Sequence, residues 1–272
     1  MGNERSVKVL NDLPKRHKRI GSFLKKTANQ YMEFNHKFYH TKQRGQEKVR
    51  ELRDTSLGYN ELTNQQVTFL CMANCGLEVL PFPEHGYSKL HRTDKPDNFR
   101  LDYWILLPKD NILLLIEHKH KMVYVTKQQK RKESNLYCSV HKVRTAWDQN
   151  ESKLKKLLRN RPALIDLTMN GCFKDLKCFT INLVIVPVFE IYEEPKSTDK
   201  PKPIKSPEFC ERVSQIRKAI GANSKRDWVA AKTLDNDMQQ FVDQWEEKGK
   251  QLSARYHGVY FFGRLEEIDI KR

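Results

Sequence analysis

At 272 residues, 38% hydrophobic and 31% charged, the chain is long enough to bury a substantial α/β core and has the balance of a soluble globular protein. No apolar run approaches the ~20 residues of a membrane helix and MGNERSVKVL has no apolar signal core, so a cytoplasmic protein is expected, or a nuclear one in a eukaryotic cell. A formal charge of +16 excludes little by itself but makes a polyanion the expected partner and a membrane an unexpected one.

The first 20 residues, with PKRHKRI at 14–20, read as a basic arm. From Ser22 to about Arg53, Phe23, Leu24, Tyr31, Phe34 and Phe38 recur at helical spacing, so residues 1–58 form a basic helical N-terminal extension. A second helix is expected from Glu61 to Asn74, with Leu62, Phe69, Leu70 and Ala73 on its apolar stripe and Gly76 as its stop. A short strand follows at Leu77–Phe82, then a loop over Pro83–Asn98. Phe99–Leu107 and Asn111–Glu117 are apolar runs separated by Pro108, Lys109 and Asp110, which predicts a tight hairpin. After a polar, basic connection, Val143, Trp147, Leu154 and Leu158 mark an amphipathic helix to about Arg159.

Phe179–Ile191 is the most apolar stretch and reads as a buried central strand, with Pro187 marking a bend or an edge. Residues 59–192 thus form a core in the order helix, three strands, helix, strand. Residues 193–207 form a Pro/Lys linker, and 208–272 hold helices near 208–220 and 235–254 with a final strand at Gly258–Leu265. The six cysteines, at 71, 75, 138, 172, 178 and 210, show no disulfide framework and are read as reduced core thiols. A zinc site made by Cys71 and Cys75 with His118 and His120 is the weaker alternative.

Residues facing each other across a hairpin have numbers with a nearly constant sum. With the turn centred on Lys109–Asp110, Glu117 faces Asp102, setting two carboxylates side by side. Carboxylates so placed repel unless a cation lies between them. Lys119, two residues past Glu117, points to the same face because strand side chains alternate. Two hard oxygen donors, with the His118 carbonyl as a third, suit Mg²⁺, with Mn²⁺ as a substitute. An ammonium beside such an ion suits phosphodiester hydrolysis. Asp97, in the literal Pro96-Asp97 pair upstream, fails the same register, which would set it opposite residue 122.

The segments RLDYWI at 100–105 and LLLIEHKH at 113–120 resemble the signature of the PD-(D/E)XK nuclease superfamily, an acid on one strand and Glu-x-Lys on the next. The resemblance implies a restriction-endonuclease-like αβββαβ core with a mixed sheet, metal binding by Asp102 and Glu117, and catalytic assistance by Lys119. It also implies a supporting carboxylate on the preceding helix, where this chain offers Glu61, with Gln65 one turn later as a substitute.

Charge is concentrated beside these residues. Residues 118–161 hold 13 Lys and Arg against 3 Asp and Glu, and residues 1–50 hold 13 against 4. A nucleic-acid substrate follows, DNA more often than RNA on the family's pattern, acted on by a Mg²⁺-dependent endonuclease. The same core serves as a homodimer or within larger defence and mobile-element assemblies. The alternative is a nucleic-acid-binding or assembly protein with a nuclease-like fold and no turnover. Gln149 and Lys153, i,i+4 neighbours on the helix from about 141, face either the site or solvent. His118 and His120 flank the motif and are by default packing residues, and nothing ties His141 to the metal. Tyr31, Phe34, Phe38 and Tyr39 either stack on bases or belong to the core.

Overall fold

The two most apolar runs of the chain, 112–116 and 179–191, lie side by side in the middle of a nine-stranded mixed sheet. Both faces of the sheet are covered there, and only a continuous hydrophobic strand satisfies both. The structure is a computed structural model that describes residues 6–44, 61–87, 99–125, 139–159, 176–194, 205–234, 242–247 and 249–268. In chain order the elements are β1 (Lys8–Asn11), α1 (Lys18–Arg44), α2 (Glu61–Ala73), β2 (Leu80–Tyr87), β3 (Phe99–Leu107), β4 (Ile112–His120) and β5 (Val123–Val125). They continue with α3 (Val140–Arg159), β6 (Lys177–Glu194), α4 (Ser206–Ile220), β7 (Asp227–Thr233), β8 (Val242–Glu247) and β9 (Lys250–Ile268).

The sheet runs β1-β7-β9-β6-β4-β3-β2, with β5 added beside β6 and β8 beside β9. Strands β4 and β6 are parallel and joined through α3, whereas the β2-β3-β4 and β6-β9-β7 pairings are antiparallel. The chain is therefore α/β with a mixed sheet. Helices α1 and α2 cover one face, where Ile20, Phe23, Leu24, Tyr31, Val67 and Met72 pack on Ile181, Leu183 and Ile185. Helices α3 and α4 cover the other, where Val143, Trp147, Phe209 and Ile216 meet Val184, Val186 and Val188. The alternation of β6 between these two sets is the period-two pattern of a strand buried on both sides.

Pro187 lies within this central strand rather than at an edge of the sheet. The Ile185 carbonyl accepts a hydrogen bond from the Lys121 N–H, so the proline two residues on turns its missing N–H to the same edge. The β4 ladder has ended there at Ile185 and the β5 ladder starts only at Val188. The expected irregularity follows at once. The register shifts between Val188 and Phe189, which pair with Gly258 and Tyr256 and leave His257 as the extra residue.

Several expectations are corrected. The basic arm is not free along its whole length: Lys8–Asn11 pairs with β7 as an edge strand, and the helix already begins at Lys18. The stripe expected on α2 is displaced, since Val67, Cys71 and Met72 are buried with Asn64 and Thr68, while Leu70 is 48% exposed. Asn64 is tolerated there because it accepts the Tyr31 hydroxyl hydrogen at 2.7 Å. The strand expected at 77–82 runs instead from Leu80 to Tyr87.

The largest miss is the helix expected over 235–254: its described residues, 242–247 and 249–254, belong to the paired strands β8 and β9, with Gly249 at φ 73° between them. The described residues of 208–272 therefore contribute one helix and three strands that extend the same sheet, not a helical portion. Cys71, Cys75, Cys178 and Cys210 are free and buried, while Cys138 and Cys172 lie outside the described residues. Among the described residues no helix is long and apolar enough to cross a membrane.

Candidate active site

Strands β3 and β4 are joined by a short 3-10 turn at Pro108–Asp110 and by Asn111 in the left-handed conformation, φ 51°. Their ladder pairs Leu107 with Ile112 and ends with Tyr103 opposite Ile116. The next step of that register sets Asp102 opposite Glu117. The ladder stops there because the Asp102 side chain takes over the backbone: its Oδ2 accepts the His118 N–H at 2.8 Å. Its Oδ1 accepts the Gln65 side-chain amide from α2 at 3.0 Å. Gln65 is held in turn by Tyr103, whose hydroxyl donates to the Gln65 carbonyl at 2.7 Å. The N–H and C=O of one residue leave an extended strand on the same side. The His118 carbonyl therefore looks toward Asp102.

Glu117 takes its partner from the other helical layer. Trp104 and Leu115 pack with Leu154 and Leu157 of α3, and alternation along β4 sends Glu117 to that same face. Its side chain is 1% exposed, with Oε1 ion-paired to the Lys153 ammonium of α3. Oε2 is buried without a hydrogen-bond partner among the described residues. Burial, followed by the nearby Asp102 charge, pushes the Glu117 pKa up to about 7, against the pull of Lys153 and Lys119. Burial and the same two carboxylates also push Tyr103 far above its ordinary value. The end of the hairpin is thus an acidic, poorly solvated corner.

The corner continues across the sheet as a row of polar residues. Glu117 pairs with Asn182 of β6, Asn182 with Arg264 of β9, and Arg264 with Asp227 of β7. Helix α3 lies over this row and bonds to each step except the last. Lys153 meets Glu117, the Asn150 amide donates to the Asn182 side-chain oxygen at 2.9 Å and to the Glu117 carbonyl at 3.2 Å, and Glu151 meets Arg264 at 2.5 Å. Asn182 returns a hydrogen bond to the Trp147 carbonyl at 3.1 Å, and Arg264 stacks 5.1 Å from the Trp147 ring. Asp227, fully buried, takes Arg264 at 2.7 and 3.2 Å. Burial works against the Arg264 charge, but Asp227 and Glu151 outweigh it and raise its pKa.

A small hard divalent cation fits this donor set. Mg²⁺ is ordinarily held by one or two carboxylates, with waters and substrate phosphate completing its shell. Asp102, Glu117 and the His118 carbonyl supply that number, and the unpartnered Oε2 of Glu117 is a buried acceptor that a cation would satisfy. Among the described residues there is no group of three or more His, Cys, Asp or Glu placed to hold a metal, so the set is lean. For the same reason the zinc reading finds no cluster, and burial pushes the Cys71 thiol up to about 12, far from the thiolate zinc requires.

Of the residues singled out in the sequence, the structure brings together Asp102, Gln65, Glu117, His118 and Lys153, with Lys119 close enough for its charge to act on Glu117. Glu61 is the first residue of α2, but its side chain lies outside the described residues, as do those of Phe38 and Tyr39. Asp97 and most of the 83–98 loop also fall outside them. Gln149 is exposed on the outer side of α3, because the buried stripe runs through Val143, Trp147, Asn150, Leu154 and Leu157. Lys153, one turn on, sits nearer that stripe, and its stem reaches inward to Glu117.

His118 and His120 are buried, and burial lowers both pKa values, that of His120 to about 3. They are packed neutral rings, His118 lying 5.9 Å from the Tyr103 ring. Tyr31 is fully buried and cannot stack on a base; Phe34 is partly buried against the same core. Sequence reasoning missed Asn150 and Asn182. The available signal was a polar residue inside an otherwise apolar stripe, at 150 on the helix and at 182 on the strand. No family model, curated protein or solved structure matches the chain.

Proposed function

We propose that the protein is a Mg²⁺-dependent nuclease of the PD-(D/E)XK type that hydrolyses phosphodiester bonds of nucleic acid, with DNA as the expected substrate. The observation that carries this reading is the hairpin register. It sets Asp102 opposite Glu117 at the point where the ladder ends, with the His118 carbonyl on the Asp102 side and Lys119 two residues beyond Glu117. Asp102, Glu117 and the His118 carbonyl would hold a divalent cation, which would polarise a phosphoryl oxygen and make a bound water more acidic. The Lys119 ammonium then orients the attacking water or stabilises the charge that develops on the phosphate. Hydrolysis forms one bond from water oxygen to phosphorus and breaks one bridging P–O bond, and the water proton ends on the leaving alkoxide. Gln65 keeps Asp102 from rotating away, and the burial of Glu117 excludes competing solvent.

The strand that would be cut needs a basic track to lie on. Lys142, Arg144, Lys155, Lys156 and Arg159 are exposed along α3, the helix that covers the site. The test is cleavage of single- and double-stranded DNA and of RNA with and without Mg²⁺. Asp102→Asn and Lys119→Met are expected to lower cleavage by at least ~10²-fold while circular dichroism and nucleic-acid affinity stay at wild-type values. Equal cleavage by wild type and variants overturns the reading. Binding without cleavage by the wild type leaves the alternative, a nucleic-acid-binding protein on the same fold.

A further inference from the structure

The two oxygens of Glu117 stand in different situations. Oε1 is taken by Lys153, and Oε2, although buried, has no hydrogen-bond partner among the described residues. A carboxylate that is 1% exposed is costly to keep charged without a counter-ion, and the nearby Asp102 charge adds to that cost. The residue that answers it comes from another layer of the fold. The backbone of α3 under Lys153 is pinned, by Asn150 to the Glu117 and Asn182 positions and by Glu151 to Arg264. The Lys153 side chain, in contrast, is 35% exposed, so its four-carbon arm has water to swing into. A fixed root and a free arm are what an exchangeable cation requires.

We propose that Lys153 is the resident counter-cation of Glu117, an internal ammonium that holds the carboxylate in place in the metal-free protein and withdraws toward solvent when a divalent cation binds. The proposal rests on reading Asp102 and Glu117 as metal ligands. It adds that the site is never without positive charge, and that the affinity for metal is set partly by competition with this side chain. Two like charges within a few ångströms in a poorly solvated corner repel strongly enough to matter. The same withdrawal places an ammonium at the mouth of the site, on the helix that carries the exposed basic residues.

The probe is Mn²⁺ alone, followed by titration calorimetry at pH 8 on the full chain. Lys153→Met is expected to bind Mn²⁺ about tenfold more tightly than wild type, and Lys153→Arg, which keeps the charge, to stay within about twofold of it. The tightening must vanish in Lys153→Met/Asp102→Asn. Unchanged or weaker binding by Lys153→Met, including no binding by either protein, overturns the proposal.

A second measurement needs no variant. Amine-labelling of wild-type protein, read by mass spectrometry at Lys153 relative to the exposed Lys155, is expected to rise several-fold on adding Mn²⁺; no rise overturns it, and this result decides if Lys153→Met fails to fold. The nuclease reading fails separately, through absence of Mg²⁺-dependent cleavage by the wild type. That outcome leaves the calorimetric and labelling results standing on their own.

Discussion

Glu117 is a buried acid whose charge the fold tolerates rather than welcomes, and that has a measurable consequence. An acid whose pKa is higher in the folded protein than in the unfolded chain contributes stability that is fully present below the unfolded value and is lost as pH rises through the folded value. Here the window runs from the ordinary value of 4.5 to about 7, and the loss is on the order of 3 kcal/mol. In urea titrations without metal, wild-type stability is expected to fall between pH 5 and pH 8, while Glu117→Gln flattens that slope and is roughly 1–3 kcal/mol more stable than wild type at pH 8. A Glu117→Gln profile with the wild-type slope would put the cost elsewhere. The sequence made Glu117 and Lys119 visible because they leave a five-residue apolar run, 112–116, where a charge is out of place. It left Lys153 undecided beside Gln149, because i,i+4 spacing says that two side chains are neighbours and not which way they lean. Asn150 went unread although it occupies a stripe position, since a buried amide is recognisable only once its acceptors on two other strands are known.

At the scale of elements, α3 is held to the sheet by polar contacts at one end of the row and by Trp147, Leu154 and Leu157 along its length. Arg264 is the anchor, bridging the buried Asp227, Glu151 and the Gly221 carbonyl at 2.8 Å. Arg264→Met leaves Asp227 buried and unpaired, and is expected to cost about 3–5 kcal/mol in chemical denaturation. Adding Asp227→Asn should recover a large part of it; a loss below about 1 kcal/mol would mean that the row is decorative. The register of the β3–β4 hairpin was legible, because it follows from the turn centre between two apolar runs, although the second strand runs over Ile112–His120 rather than Asn111–Glu117. Strand β8 was not. Residues 235–254 are rich in Gln, Glu, Asp and Lys, with few apolar side chains to declare a period of two, and Val242–Glu247 within them become a strand through pairing with β9. The short edge strand β1 was hidden because its four residues, KVLN, are too few to declare a period.

For the whole molecule, the Pro/Lys segment at 193–207 suggested a break, yet the strands after it complete the sheet that the strands before it begin. Composition marks where a chain leaves the core, not whether it returns. The return has a cost in time. Strand β6 is the spine of the sheet, and β9 pairs with it from Cys178 to Glu194, but α4, β7 and β8 are made between the two. On a ribosome, the most apolar strand of the protein waits with one edge bare until β9 emerges, and pairing over so long a separation is slow. A bare apolar edge recruits other strands in the meantime. A fragment ending at residue 205, which still carries Asp102, Glu117, Lys119 and Lys153, is expected to aggregate in sedimentation assays where the full chain stays soluble. A soluble, folded fragment would show that the hairpin needs no closure from behind. Dependence on chaperones during synthesis is thus written into the strand order, independently of whatever chemistry the finished corner performs.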